Sequence, residues 1–304
     1  MANSELPPRS NRTVRTPSRP VALAFTILFG AFATIPHATV AAEGATFRTE
    51  TASFSVDDRG ILTAIQDLAS GRNYLAPNQP APLLSLRRSG RVHPPRTAAW
   101  DPESRRLTLR FDQAEGSVVV LRVDTFPSHV AFEVVRLEPS ANLDWILWGP
   151  YPTTISETIG ETVGVVRNGD FAVGIQSLEP RTLGGYPHAE NDAEGESSDD
   201  DRGVYADLSA ELLKGQHYRG DTARRTPFGS VLQAYCRPRD RERVVSNWGH
   251  ERYAVPAFPD GGVVGSRVAL FACPEDRALP NLGRIEETEG LPHPMIDGVW
   301  GKMS

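Results

Sequence analysis

Three clusters in this chain combine aromatic rings with groups that titrate or hydrogen-bond. Trp145, Trp148 and Tyr151 alternate with aliphatic residues around Gly149-Pro150. Sugars present C–H faces that stack on aromatic rings, so clustered Trp and Tyr at a strand end suit a carbohydrate cleft. Core packing is the competing reading for Trp145, whereas Trp148, beside the Gly-Pro, is the ring expected to be exposed. The second cluster is Tyr186, His188 and Glu190, where a His near a carboxylate can move protons near neutral pH. A loop His is otherwise simply solvated. The third is Trp248, His250, Glu251 and Arg252, which offers a stacking face, a base and a charged clamp. Adjacent loop residues point in different directions, so no more than two of these meet one ligand. Glu251-Arg252 also fits an ordinary surface ion pair, worth under about 1 kcal/mol.

No stronger motif competes with these clusters. The sequence has no Gly-x-Ser-x-Gly elbow, phosphate loop, His-Glu-x-x-His or dinucleotide fingerprint, so no catalytic residue, metal ligand or cofactor is assigned. Asp199-Asp200-Asp201 lacks the glycine-punctuated geometry of a calcium loop and reads as a solvated acidic run. Cys236 and Cys273 are too few for a metal site. A disulfide and two buried free thiols both fit their spacing.

Positioning such residues is the task of the remaining chain, 304 residues with a formal charge of -6. The acidic balance does not suggest a nucleic-acid partner. Residues 1-42 read as a signal peptide: Arg9, Arg12, Arg15 and Arg19 precede an apolar run from Val21 to Ile35, then small residues through Ala42. The run is short for a membrane span, although an uncleaved anchor is the alternative. No Arg-Arg pair precedes it, which fits the general secretory route and a secreted or periplasmic product without stable membrane insertion after cleavage. The segment holds four arginines and one glutamate, so its removal leaves about -9 on the mature chain, which disfavours anionic polymers.

The fold class expected is mainly β, a large antiparallel sandwich over residues 43-275. Its clearest signal is Asn168-Gly169 between apolar runs, a hairpin turn whose residues readily take positive φ. That turn puts Val166, Phe171, Val173 and Ile175 on one face and Val163, Val165, Ala172 and Gly174 on the other. A ribbon apolar on both faces belongs inside a stack of layers and is read as the central hairpin of the sandwich. Short alternating strands separated by turns recur from Thr46 to Leu137 and again at Ser230–Tyr235 and Arg267–Ala272. Residues 181-227 form a long irregular insertion. Within it, the acidic stretch from Glu190 to Arg202 is expected to be mobile and Tyr205 to Leu213 to form a short helix. A second short helix is expected after Pro280, ending at Gly290. Residues 276-304 combine that helix with a tail that has no closing element, read as a connector into a further, catalytic domain or as an arm folded back on the sandwich.

The run from Phe54 through Asp57-Asp58-Arg59-Gly60, Ile61-Leu62-Thr63-Ala64-Ile65 and Asp67 to Ser70-Gly71 and Tyr74 resembles the opening hairpin of galactose-mutarotase-like super-sandwich domains. Such domains occur at the N-terminus of exported multidomain glycoside hydrolases. The resemblance implies a non-catalytic, carbohydrate-associated sandwich that shapes one wall of a sugar cleft, with the paired carboxylates of hydrolysis on a downstream domain. Trp148, Tyr151, Tyr186, His188, Trp248, His250 and Glu251 are then the expected sugar contacts, and an oligo- or polysaccharide is the expected partner. A stand-alone mutarotase- or epimerase-like enzyme using a His and a Glu is the alternative, as is a purely structural exported domain.

Overall fold

A computed structural model describes residues 44–89, 91–112, 116–161, 163–185, 221–239, 243–247, 251–255, 258, 261–291, 295–296 and 299–300. The chain divides into two compact units, 1–40 and 41–304. The first, with most of the expected signal peptide, lies outside the described residues, as do the acidic stretch and the helix expected at 205–213.

The second unit is mainly β. Its strands are β1 (Ala45–Arg48), β2 (Ala52–Val56), β3 (Leu62–Asp67), β4 (Leu84–Arg88), β5 (Arg91–His93), β6 (Thr97–Asp101), β7 (Arg106–Phe111), β8 (Ser117–Thr125), β9 (Val130–Glu138) and β10 (Leu143–Thr153). They continue with β11 (Thr158–Gly160), β12 (Val165–Arg167), β13 (Phe171–Ser177), β14 (Leu183–Gly184), β15 (Ala223–Thr226), β16 (Gly229–Cys236), β17 (Arg243–Asn247), β18 (Glu251–Val255) and β19 (Arg267–Pro274). One α-helix follows, α1 (Ala278–Glu289), and then a short pair, β20 (Met295–Ile296) and β21 (Val299–Trp300). Among the described residues no helix is long and apolar enough to cross a membrane.

Three antiparallel sheets enclose the core. The largest runs β11-β12-β13-β19-β9-β8-β7-β6, the second runs β14-β16-β10-β4-β5 with β15 also on β16, and the third is β1-β2-β3. Alternation decides which side chains meet between them. Leu107, Leu109, Val119, Leu121, Phe132, Val134, Val173, Leu270 and Ala272 of the eight-stranded sheet share one buried cluster with Leu84, Leu86, Ile146, Trp148, Leu232 and Ala234 of the six-stranded sheet. Phe47, Phe54, Leu62 and Ile65 of the small sheet join it.

The hairpin forms as the pattern dictates, with Val165 opposite Gly174, Val166 opposite Val173 and Arg167 opposite Ala172. Val166, Phe171, Val173 and Ile175 enter the core together. Three details differ from expectation. Only Gly169 takes positive φ, at 85°, because the Asn168 side chain closes the turn by accepting from the Asp170 and Phe171 amides at 3.2 and 2.9 Å. Val163 is exposed, outside the strands. The hairpin lies toward one edge of its sheet rather than at its centre.

Strand β19 is buried on both faces. Val268, Leu270 and Ala272 face the sandwich core, while Ala269, Phe271 and Cys273 pack with Leu178, Ala131 and Ile285 under helix α1. The insertion is narrower than 181-227 suggests, since β14 and β15 at its ends both pair with β16. The tail, expected to lack any closing element, carries the β20-β21 pair.

Gly174 sits opposite Phe271 in the β13-β19 ladder, and a Cβ added to it would lie 2.3 Å from the Phe271 ring. Gly174→Ala is therefore expected to lower stability by about 1–3 kcal/mol through overpacking. Urea unfolding measures this as a fall in midpoint at unchanged slope, and an unchanged midpoint would contradict the packing described.

Candidate functional site

The end of the six-stranded sheet formed by the start of β10 and the finish of β4 and β16 gathers one cluster of charged and aromatic groups. Trp148 is the hinge of that arrangement. Strand β10 does not stop at Gly149-Pro150; it continues to Thr153 through a register shift between Trp148 and Tyr151. Both rings are therefore carried into the interior and fully buried. The expectation that Trp148 is exposed is corrected, and neither ring presents a stacking face in this conformation. Tyr151 donates its hydroxyl to the Leu83 carbonyl at 2.6 Å, and burial raises its pKa above the normal phenol value.

The Trp148 indole N–H donates to Ser266 Oγ at 2.9 Å. Ser266 and Thr182 hydroxyls lie 2.8 Å apart, and Thr182 donates to Glu179 Oε1 at 2.7 Å. Since the Thr182 proton is committed to Glu179, Ser266 donates to Thr182. The result is a directional chain from a buried indole to a carboxylate at the surface. Arg267 N also donates to Thr182 Oγ1 at 3.0 Å, so the hydroxyl is held from three sides. Buried hydroxyls satisfied in this way avoid a penalty of about 1–3 kcal/mol each.

Glu179 also accepts from the Arg181 amide and side-chain Nε at 3.0 and 3.1 Å. The Arg181 and Arg239 guanidiniums stand 4.6 and 5.6 Å from the Phe258 ring centre. On the second face of the same sheet, opposite to the core, Trp145 pairs with Arg87 across the ladder. The Arg87 and Arg237 guanidiniums lie 3.9 and 5.7 Å from the Trp145 ring, and Asp144 is 3.9 Å from Arg87. Trp145 and Tyr235 on this face are buried. The rim is more open: the side chains of Asp144, Glu179 and Arg181 are 31%, 21% and 19% exposed. Carboxylates and guanidiniums around aromatic rings supply bidentate donors and acceptors for hydroxyl-rich or anionic groups.

Sequence reasoning reached Trp145 and Trp148 but missed Glu179, Arg181, Thr182, Arg239 and Ser266. The three nearest in sequence stand in Leu178-Glu-Pro-Arg-Thr182, a turn whose charged residues look like any solvated loop. Of the other expected site residues, Tyr186, His188, Trp248 and His250 lie outside the described residues. Glu251 begins strand β18 opposite Asn247, not a loop.

The two thiols do not pair. Cys236 belongs to the core between the sheets, whereas Cys273 lies under the helix on the outer side of the other sheet. Both are free and buried. Burial, aided by the Glu179 charge, pushes Cys236 up to about 12. Burial, aided by Asp276, pushes Cys273 up to about 11.

No protein-family model matches this sequence, and no curated protein matches it.

Trp148→Phe keeps most of the buried volume but removes the N–H that meets Ser266. The expected loss is about 1 kcal/mol, against about 3–5 kcal/mol for Trp148→Ala, which also leaves a cavity. Chemical denaturation of the two variants checks the difference. At pH 8 the folded protein should leave Cys236 and Cys273 unreactive toward an aromatic disulfide reagent, and both should react on unfolding. A thiol titrating rapidly in the native state would contradict the burial.

Proposed function

We propose that this chain is a carbohydrate-associated β-sandwich of an exported, glycoside hydrolase-like protein, contributing a binding wall and no bond-cleaving groups. In this reading the sugar meets the rim of the six-stranded sheet through Asp144, Glu179, Arg181 and the Phe258 ring, while Trp148 holds that rim from inside through Ser266 and Thr182. The observation that carries the reading is the collection of partly exposed carboxylate and guanidinium groups beside aromatic rings at one sheet end. The opening hairpin, which forms as strands β2 and β3 over Ala52–Asp67, adds support.

The rival reading, ring opening by a His and a Glu, has its candidates His188 and His250 outside the described residues, and the His-Glu pair among the described residues does not supply it. His129 bonds Glu289 at 2.8 Å, but the two side chains are 0% and 4% exposed. A general acid or base must come within hydrogen-bond reach of its substrate, and this pair is shut away from any sugar.

Glycan-array screening followed by calorimetry tests the proposal. Binding of an oligosaccharide that weakens about tenfold, about 1.4 kcal/mol, in Asp144→Ala or Arg181→Ala at unchanged melting temperature is the expected outcome. Absence of glycan binding, or binding indifferent to both substitutions, would overturn it.

A further inference from the structure

We propose that His129 and Glu289 form an acid-sensitive latch that docks helix α1 on the outer face of the eight-stranded sheet, so that acidification releases the helix and uncovers the apolar strip beneath it.

The latch stands on geometry. His129, just before β9, is fully buried, with its ring stacked on Phe126 at 4.7 Å. Its Nε2 lies 2.8 Å from Glu289 Oε1, and its Nδ1 lies 2.9 Å from Ser128 Oγ. An ionised carboxylate only accepts, so Nε2 carries a proton; in the neutral ring, which burial favours, Nδ1 then accepts from Ser128. The neutral ring thus has each nitrogen satisfied. Asn281 of the helix binds the Ser128 carbonyl at 3.0 Å, tying the helix to the same turn.

The surrounding charges are already balanced. From β19, Arg267 binds both oxygens of Glu289. From β9, Glu133 lies 3.6 Å from Arg267. From β8, Arg122 holds Glu133 at 2.5 Å and Asp124 at 3.1 Å, and Arg105 holds Asp124 at 2.7 Å. The chain of three carboxylates and three guanidiniums is neutral before His129 takes part. On the helix itself, Arg284 reaches Glu50 of the β1-β2 turn at 3.1 Å, and Glu286 is partly buried. A proton on His129 therefore adds an unmatched positive charge beside Arg267 in a site closed to water.

Burial accordingly lowers the His129 pKa from 6.5, Arg267 adds to that effect, and Glu289 opposes it. The sign follows from linkage. Above pH 6.5 the ring is neutral whether the helix is docked or free, and docking keeps its full strength. As the pH falls below 6.5 the free form takes up the proton first, and docking weakens until the lower pKa of the docked form is reached. Release exposes Phe271, Ala269, Ala131, Leu178 and Cys273, which pack on Ile285 in the docked state.

Amide hydrogen exchange of Ala278–Glu289 in the full chain, corrected for intrinsic rates, tests this. Between pH 7.5 and 5.5 protection should fall by up to about tenfold, the limit for uptake of one proton per pH unit. His129→Gln keeps a donor toward Glu289 without a titrating group, and its protection should be flat over that range. A flat profile in the wild type, or an equal loss in H129Q, would overturn the latch. If the variant does not fold, a nuclear magnetic resonance titration of His129 in the wild type decides: an apparent pKa at or above 6.5 also overturns it.

Discussion

Burial of strand β19 on both faces is the constraint from which the rest of this structure follows. Its inward side chains close the sandwich against the six-stranded sheet, while its outward ones need a cover, which α1 supplies. The demand is energetic, since each large apolar side chain taken from water contributes about 1.5–3 kcal/mol. Phe271 on the outward face also reaches across to its ladder partner, and only glycine at position 174 leaves room for that ring. A strand that serves two layers at once ties the helix to the sandwich without a large interface of its own.

Polar groups trapped by this packing are matched in two networks. At the sheet end, the indole of Trp148, Ser266, Thr182 and Glu179 form a chain that leads from the core to water. Under the helix, Ser128, His129, Glu289 and Arg267 form a second, closed chain that ties the docking surface together. Unmet buried donors and charges are costly, so each network fixes the segments that contribute to it: residues 179–182 and 266 in the first, the turn before β9 and the end of α1 in the second. Of the rim groups proposed to meet carbohydrate, Glu179 and, through it, Arg181 owe their positions to the first network.

Much of the fold could be read in advance. Period-two alternation and turn residues located most strands, and Gly290 marked the end of the helix. Strands β5, β6, β14 and β15 escaped notice because they are short and carry few apolar residues to alternate; pairing with β4, β7 and β16, not local preference, makes them strands. The site was far less legible. Trp148 beside Gly-Pro has the appearance of a ring at a strand end, yet a register shift lets β10 run on and carries the ring inward. Glu179 and Ser266 are separated by most of the second half of the chain and acquire meaning only through Thr182 between them.

What the chain's composition and spacing determined alone was local: which residues alternate, where the backbone must turn, and which ribbon has two apolar faces. Those features depend on neighbours a few positions apart, where the pleat and the turn set the geometry. Tertiary structure alone decided which aromatic rings are core, that the two thiols lie in separate layers, and that His129 has a carboxylate partner. Each of those outcomes depends on the register between strands remote in sequence, and a shift of one residue would turn every side chain to the other face.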